Sequence, residues 1–282
     1  MKTLYVSDMD GTLLGADSQV SERSRSIIAE LSDAGALITV ATARTPATVG
    51  PLLRGTRMRP PAVVMTGAAL WSPQRGYEHV RYMQPADTRS ALEACAGCGV
   101  HPFVYTMGPD GVLDVYHGAD APLNRAEQSF YDQRRHLALK RFHLRQPLPD
   151  TALERTILLC ALGRLDRTDA AAVELASRTR CAVQSYPDAI DRSTGILEVF
   201  APGVSKAAAI ELVRRLTGAE RTVAFGDNLN DLPMLEAADV AVAVENALPA
   251  VRQAADTVTG PNSADSVALY IAADFNKQTY QI

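Results

Sequence analysis

Apolar residues follow two different patterns along this chain. Near the N-terminus the unbroken run Leu4, Tyr5, Val6 has the character of a strand buried on both faces, as in a parallel sheet. Ser21 is placed to cap a helix that continues through Ala34 and stops at Gly35. Residues 37–41 then read as a second strand and residues 62–65 as a third, so the alternation over residues 1–80 predicts a parallel sheet. The same pattern resumes late, with a helix expected over 205–216 and strands over 222–225 and 240–244. Sequential units of this kind define a doubly wound α/β core.

The middle of the chain reads differently. Helical periodicity over 87–97, 124–138 and 167–179 alternates with strand-like runs at 102–107, 112–116, 156–162 and 181–186, which predicts an inserted α+β module. Gln84 and Pro85 make one crossing point and the polar segment 188–194 the other. The expected division is therefore a core of residues 1–83 and 190–282 around an insertion of 84–189. Strand-like residues 196–200 fit either side of the second crossing. Neither an internal repeat nor a low-complexity segment interrupts this plan.

Composition narrows the partners. Of the 282 residues 47% are hydrophobic, enough for a proper core, and a formal charge of −4 gives no reason to expect a nucleic-acid polymer or an acidic membrane as partner. No apolar run reaches the roughly 20 residues needed to span a bilayer, and the N-terminus enters a strand without a signal-peptide pattern. A cytoplasmic protein is the expectation. Cys95 and Cys98 form a C-x-x-C, but Cys160 and Cys181 stand alone, which leaves no four-ligand zinc set. Residues 91–99 read as a helix nearing its glycine stop, where a redox pair would need a helix start, so buried or incidental thiols are expected. The five histidines show no metal-ligand spacing.

Candidate chemistry begins directly after the first strand, at Asp8, Met9, Asp10, Gly11, Thr12. Ligands of open α/β sheets bind outside the carboxyl ends of the strands. Strand alternation would let Asp8 and Asp10 converge on one side while the backbone at Met9 approaches a ligand, with Gly11 turning the chain away. Alone, the segment also fits a simple turn. Three further segments change its weight. Thr42 and Ala43 end the second strand with a hydroxyl and a free amide; Lys206 begins a helix after Gly203, Val204 and Ser205; and Gly226, Asp227, Asn228, Leu229, Asn230, Asp231 follows a late strand.

Electrostatics gives these residue types a joint purpose. A phosphate monoester carries about two negative charges, and each unit-charge pair near 4 Å costs on the order of 4 kcal/mol at moderate dielectric. A divalent cation and a lysine offset that repulsion. Magnesium prefers oxygen ligands and is commonly held by one or two carboxylates plus substrate phosphate. Asp8 and Asp227, with the carbonyl of Asp10, meet that description, and Lys206, Thr42 and Asn230 would then hold the phosphoryl oxygens.

The ordered segments D-M-D-G-T-L-L, A-T-A-R, G-V-S-K and G-D-N-L-N-D-L-P-M-L resemble the haloacid dehalogenase-like hydrolase superfamily, particularly its Cof-type phosphatases, over essentially the whole chain. The resemblance implies a Rossmann-like core with a large inserted α/β cap of the C2 type that selects substrate. It implies Asp8 as the nucleophile that forms an aspartyl-phosphate and Asp10 as general acid and base. Asp227 is implied as the Mg2+ carboxylate paired with Asp8, and Asp231 as a supporting residue that orients the site or its lysine, with metal ligation the lesser alternative. Three positions depart from the family pattern: Ala43 and Ala207 stand where glycine is common, and Thr66 stands where the family often has asparagine.

A phosphatase of small phosphomonoesters, such as sugar phosphates, nucleotides or cofactor-type esters, is thus the leading expectation. A phosphomutase of the same superfamily is the first alternative, because Arg125, Arg134, Arg135, Arg141 and Arg145 in the insertion offer cations for a second phosphate. A non-catalytic module that binds a phosphate ligand is the second. The leaving group and the oligomeric state stay open at this point.

Overall fold

The N-terminal apolar run becomes the strand Thr3–Ser7, buried at all five positions, in a computed structural model that describes residues 1–118, 122–188 and 191–279. It lies inside a five-stranded parallel sheet ordered Thr257–Val258, Val240–Ala243, Arg221–Gly226, Thr3–Ser7, Leu37–Val40. Tyr5 therefore sits between Ile38 and Val223. From this inner strand the chain first moves outward to Leu37–Val40, and later fills the other side beginning at Arg221–Gly226. The boundary between Thr3–Ser7 and Arg221–Gly226 is the switch point of the sheet, the place where such folds bind ligands.

The helices of this unit start and stop where their caps direct. Ser21 accepts the Ser24 N–H (2.9 Å) at the head of Glu22–Asp33, and Ser205 accepts the Ala208 N–H (3.1 Å) at the head of Lys206–Thr217. Gly218 closes the latter helix in the left-handed region (φ 65°). Lys206–Thr217 packs on Leu232–Glu236, which packs on Pro249–Ala254. Glu22–Asp33 packs on a further helix, Ser266–Thr279, whose Asp274 receives Tyr5 Oη (2.8 Å) and pairs with Arg221 (2.7 Å).

Residues 1–80 do not alternate strand and helix throughout. Ala62–Val64 touches the parallel sheet through a single bridge from Val63 to Ala41, and mainly opens a separate antiparallel sheet with Ala69–Ser72 and Gly76–Glu78. Tight turns reverse the chain at Met65–Gly67 and before Gly76 (φ 69°). Such turns leave no length for the crossover that a parallel neighbour requires.

Contacts divide the chain into two units, one joining Met1–Glu78 to the segment from Ser205 onward, the other His79–Val204. The breaks thus fall at 78/79 and 204/205, where crossings near 84 and 189–190 were expected; residues 189–190 lie outside the described residues. The second unit has its own six-stranded sheet, ordered Ala182–Pro187, Thr194–Phe200, Thr156–Arg164, Phe103–Met107, Leu113–His117, Lys140–Leu144. Only the last pair is parallel. Thr194–Phe200 pairs on both its edges within this sheet, which resolves the position of residues 196–200. Pro85–Gly97 and Leu165–Arg178 pack on each other, and Arg125–Arg134 packs on Thr156–Arg164. That last helix is shorter than the expected 124–138, because the chain turns after Arg135 and passes Leu139 at φ 64° into a strand the hydropathy did not announce.

All four cysteines are free, with Cys95 and Cys98 at the end of Pro85–Gly97. Among the described residues no helix is long and apolar enough to cross a membrane. Three of the five arginines considered for a second phosphate are engaged locally. Arg141 pairs with Asp110 (2.6 Å) and Asp114 (2.9 Å), Arg135 with Asp132 (3.6 Å), and Arg134 lies 4.0 Å over the Phe130 ring.

Lys140 is the costly residue of this unit. It is 6% exposed, forms no ion pair with a described residue, and its ammonium lies over the faces of Tyr105 (5.0 Å) and Phe142 (5.9 Å). Burial, helped by Arg134, pulls its pKa from 10.5 down to about 7, with Cys160 opposing. The unfolded chain therefore binds more protons than the folded one between these values, so stability should rise as pH increases from 7 toward 10.5. Lys140→Met should remove that slope and raise stability near neutral pH by on the order of 2 kcal/mol, the lost cation–π contacts offsetting part of the gain. Thermal unfolding of both proteins across this pH range checks it.

Candidate active site

Two strands deliver the chemistry to the switch point. Ser7 pairs with Phe225, and Asp8 N–H still donates to the Phe225 carbonyl (2.9 Å). The chain then leaves the ladder, and Met9–Leu13 form one wide turn closed by Leu14 N–H to the Met9 carbonyl (2.9 Å). Gly11 adopts φ 81°, and a Cβ there would run into the Asp227 carboxylate. On the other strand a Cβ at Gly226 would lie 2.7 Å from Asp231 Cβ. Glycine at both places is what lets the two acidic turns approach.

The strand ends at Ser7, so strand alternation does not set the relation of Asp8 to Asp10 as expected. Asp8 is 7% exposed and faces inward, whereas Asp10 is exposed and its carboxylate is held by Arg44. The carboxylates that do converge are those of Asp8, Asp227 and Asp231, with one oxygen of each lying within 4.8 Å of the others.

Lys206 lies among them, 3% exposed. Its Nζ donates to Asp8 Oδ1 (2.5 Å) and Asp231 Oδ1 (2.7 Å). The start of its helix is held from behind by Gly67 (φ 98°), where any Cβ would strike the Ser205 carbonyl. Asp231 is fully engaged, since its Oδ2 accepts the backbone N–H groups of Asp227 (3.1 Å) and Asn228 (3.2 Å). Asp227 Oδ1 accepts the Thr12 hydroxyl (2.8 Å). Asp8 Oδ2 and Asp227 Oδ2 consequently have no hydrogen bond among the described residues.

Three carboxylates against one ammonium leave an excess of two negative charges in a buried place. Burial is the main force raising the Asp8 pKa, with Lys206 opposing and Asp231 and Asp227 adding to it. Burial also pushes Asp227 up to about 6 against the Thr12 hydrogen bond, with Asp231 contributing. For Lys206 burial works against the charge, but Asp8 and Asp231 outweigh it and hold the ammonium firmly protonated. Two open carboxylate oxygens, an all-oxygen donor set and an uncompensated charge of this size fit a hard divalent cation.

The remaining expected residues surround or adjoin this cluster to different degrees. Thr42 is buried, its backbone tied by its N–H to Val63 O (3.0 Å) and by its carbonyl to Thr66 N–H (2.9 Å). Its hydroxyl oxygen accepts the Arg44 N–H (3.2 Å), which leaves the hydroxyl proton available to donate. Ala43 is half-buried, and the Met9 side chain is completely buried, so only the Met9 backbone can serve a ligand. Asn230 is exposed on the turn Leu229–Asp231 and makes no hydrogen bond with a described residue. Thr66 sits at φ 58° with its hydroxyl buried and unpartnered. Sequence reasoning gave no role to Thr12 or Arg44. Both lie inside quoted motifs, but their partners Asp227 and Asp10 come from other segments, and residue order alone does not reveal such pairings.

A sequence model of the haloacid dehalogenase-like hydrolases matches residues 5–271. A 5-amino-6-(5-phospho-D-ribitylamino)uracil phosphatase of Bacillus subtilis is 26% identical over 97% of this chain and 97% of its own. A haloacid dehalogenase-like hydrolase of known structure from Bacteroides thetaiotaomicron superposes with a TM-score of 0.78, covering 98% of this chain and 100% of that one at 20% identity. A protein of known structure from Thermotoga maritima gives 0.73 over 97% of each chain at 26% identity. The chain belongs to the haloacid dehalogenase-like hydrolases. Within that family it stands with the phosphatases.

Proposed function

We propose that the chain hydrolyses small phosphomonoesters in a magnesium-dependent reaction that passes through an aspartyl-phosphate on Asp8. The observation that carries this reading is the buried Lys206 ammonium clasped by Asp8 and Asp231, beside the open oxygens of Asp8 and Asp227. Lys206 fixes the orientation of the Asp8 carboxylate, one oxygen of which attacks phosphorus. The ammonium, the Thr42 hydroxyl, the amides of Met9 and Ala43, and Asn230 hold the phosphoryl oxygens. Asp10 protonates the departing oxygen and then deprotonates the water that cleaves the acyl phosphate.

Asp8, Asp227 and the carbonyl of Asp10 would hold Mg2+, which when bound supplies the positive charge a phosphate dianion needs beside these carboxylates. Asp231 serves Lys206 and the backbone, both its oxygens being engaged. No observation favours the phosphomutase or the non-catalytic module.

The test is phosphate release from sugar phosphates, nucleotides, pyridoxal phosphate and the phosphoribityl compound in the Bacillus relative's name. Release should require Mg2+, fall to background with EDTA and return when Mg2+ is restored. Indifference to EDTA would remove the metal from the reading, silence across the whole panel would remove hydrolysis, and dependence on a bisphosphate activator would point to the mutase.

A further inference from the structure

Unlike the buried Asp8 and Asp231, Asp10 has a side chain that is 55% exposed. An aspartate so placed has no packing to choose its rotamer, yet proton transfer needs the carboxyl within hydrogen-bond reach of the reacting oxygen. Arg44 supplies the missing constraint. Its Nε donates to Asp10 Oδ2 (2.7 Å) and its Nη2 to Asp10 Oδ1 (2.5 Å), a two-pronged contact that fixes both the position and the plane of the carboxylate. Each oxygen keeps a second lone-pair direction for the proton it exchanges.

Arg44 is itself anchored to the cluster's other segments. Its N–H donates to Thr42 Oγ1 (3.2 Å) and its carbonyl accepts the Met65 N–H (3.0 Å). The turn after Leu37–Val40, the turn after Ala62–Val64 and the acid–base carboxylate are thereby linked through one residue.

We propose that Arg44 is a positioning residue that holds Asp10 in register for both proton transfers. The inference rests on Asp10 being the acid and base. In the first step Asp8 forms a bond to phosphorus as the ester P–O bond breaks, its electron pair stays on the leaving oxygen, and the Asp10 acid gives that oxygen its proton. In the second, water bonds to phosphorus, Asp10 takes a proton from it, and the electron pair of the acyl phosphate bond returns to Asp8. Arg44 keeps its own proton throughout.

The geometry implies a dependence on leaving group. An alkoxide must be protonated as it departs, whereas nitrophenolate leaves without help. Single-turnover phosphoenzyme formation by Arg44→Gln should therefore slow by about a hundred-fold with glycerol phosphate and by no more than about three-fold with p-nitrophenyl phosphate. KM should be nearly unchanged for both, and Arg44→Lys, which keeps the charge but not the fork, should recover part of the loss. In an Asp10→Asn background the Arg44→Gln change should add nothing further. Equal losses on both esters, or a full further loss in that background, would overturn the positioning role. Asp10→Asn alone with unimpaired cleavage of glycerol phosphate would instead overturn the acid–base reading on which it rests.

Discussion

Asp8→Asn should lower turnover by on the order of ten-thousand-fold or more and leave no acid-stable phosphoenzyme detectable by mass spectrometry. The substitution keeps the shape of the side chain, so the loss reports on the missing nucleophile and not on a cavity. Folding should survive. Asp8 is buried with two like charges, and replacing it by a neutral amide relieves that repulsion while Lys206 keeps Asp231. The melting temperature of the variant should equal or exceed that of the parent. Substantial turnover, or a phosphoenzyme still formed, would sink the assignment of Asp8. A collapse in stability would show that the Lys206–Asp8 contact outweighs the repulsion.

Lys206→Met should damage both activity and stability. Removing one partner of a buried ion pair usually costs about 3–5 kcal/mol, because the charges left behind have neither water nor a counterion. Here Asp8, Asp227 and Asp231 would all remain with their ammonium gone. A fall of roughly 10 °C in melting temperature is expected for such a loss. The double variant Lys206→Met/Asp231→Asn discriminates between lost packing and lost charge balance. It should recover much of the melting temperature without recovering activity, since the side-chain amide introduced in place of Asp231 can still accept a backbone N–H but nothing replaces the cation at the phosphate. If the double variant is no more stable than Lys206→Met, charge balance is not what Lys206 contributes to the fold.

Local signals carried much of the architecture. The hydroxyls of Ser21 and Ser205 cap helices, because a cap depends on neighbours only three residues away, and the unbroken apolar run before Asp8 announced a strand buried on both faces. What misled were features set by tertiary contact. Lys140–Leu144 mixes cations and aromatics and looks unlike a core strand, yet pairing with Leu113–His117 decides its conformation. The reversal at Met65–Gly67 passes two non-glycine residues through positive φ, which hydropathy does not encode. At the site, residue types and spacing picked out Asp8, Lys206 and Asp227 as candidates, and the structure brings them to one place. The outward placement of Asp10 was hidden, because it follows from the early end of the strand and from Arg44.

The interleaving of the two inner strands has a consequence for how the protein is made. Synthesis delivers Thr3–Ser7 and Asp8 before the His79–Val204 unit, but their sheet neighbour Arg221–Gly226 and the counterion Lys206 come after it. Until then the N-terminal strand has an open edge and Asp8 lacks its ammonium. Closing a contact over such a sequence distance is slow compared with local pairing. The inserted unit, whose contacts are largely its own, is complete by the time Val204 is made, whereas the Asp8–Asp227–Asp231 cluster is assembled only afterwards.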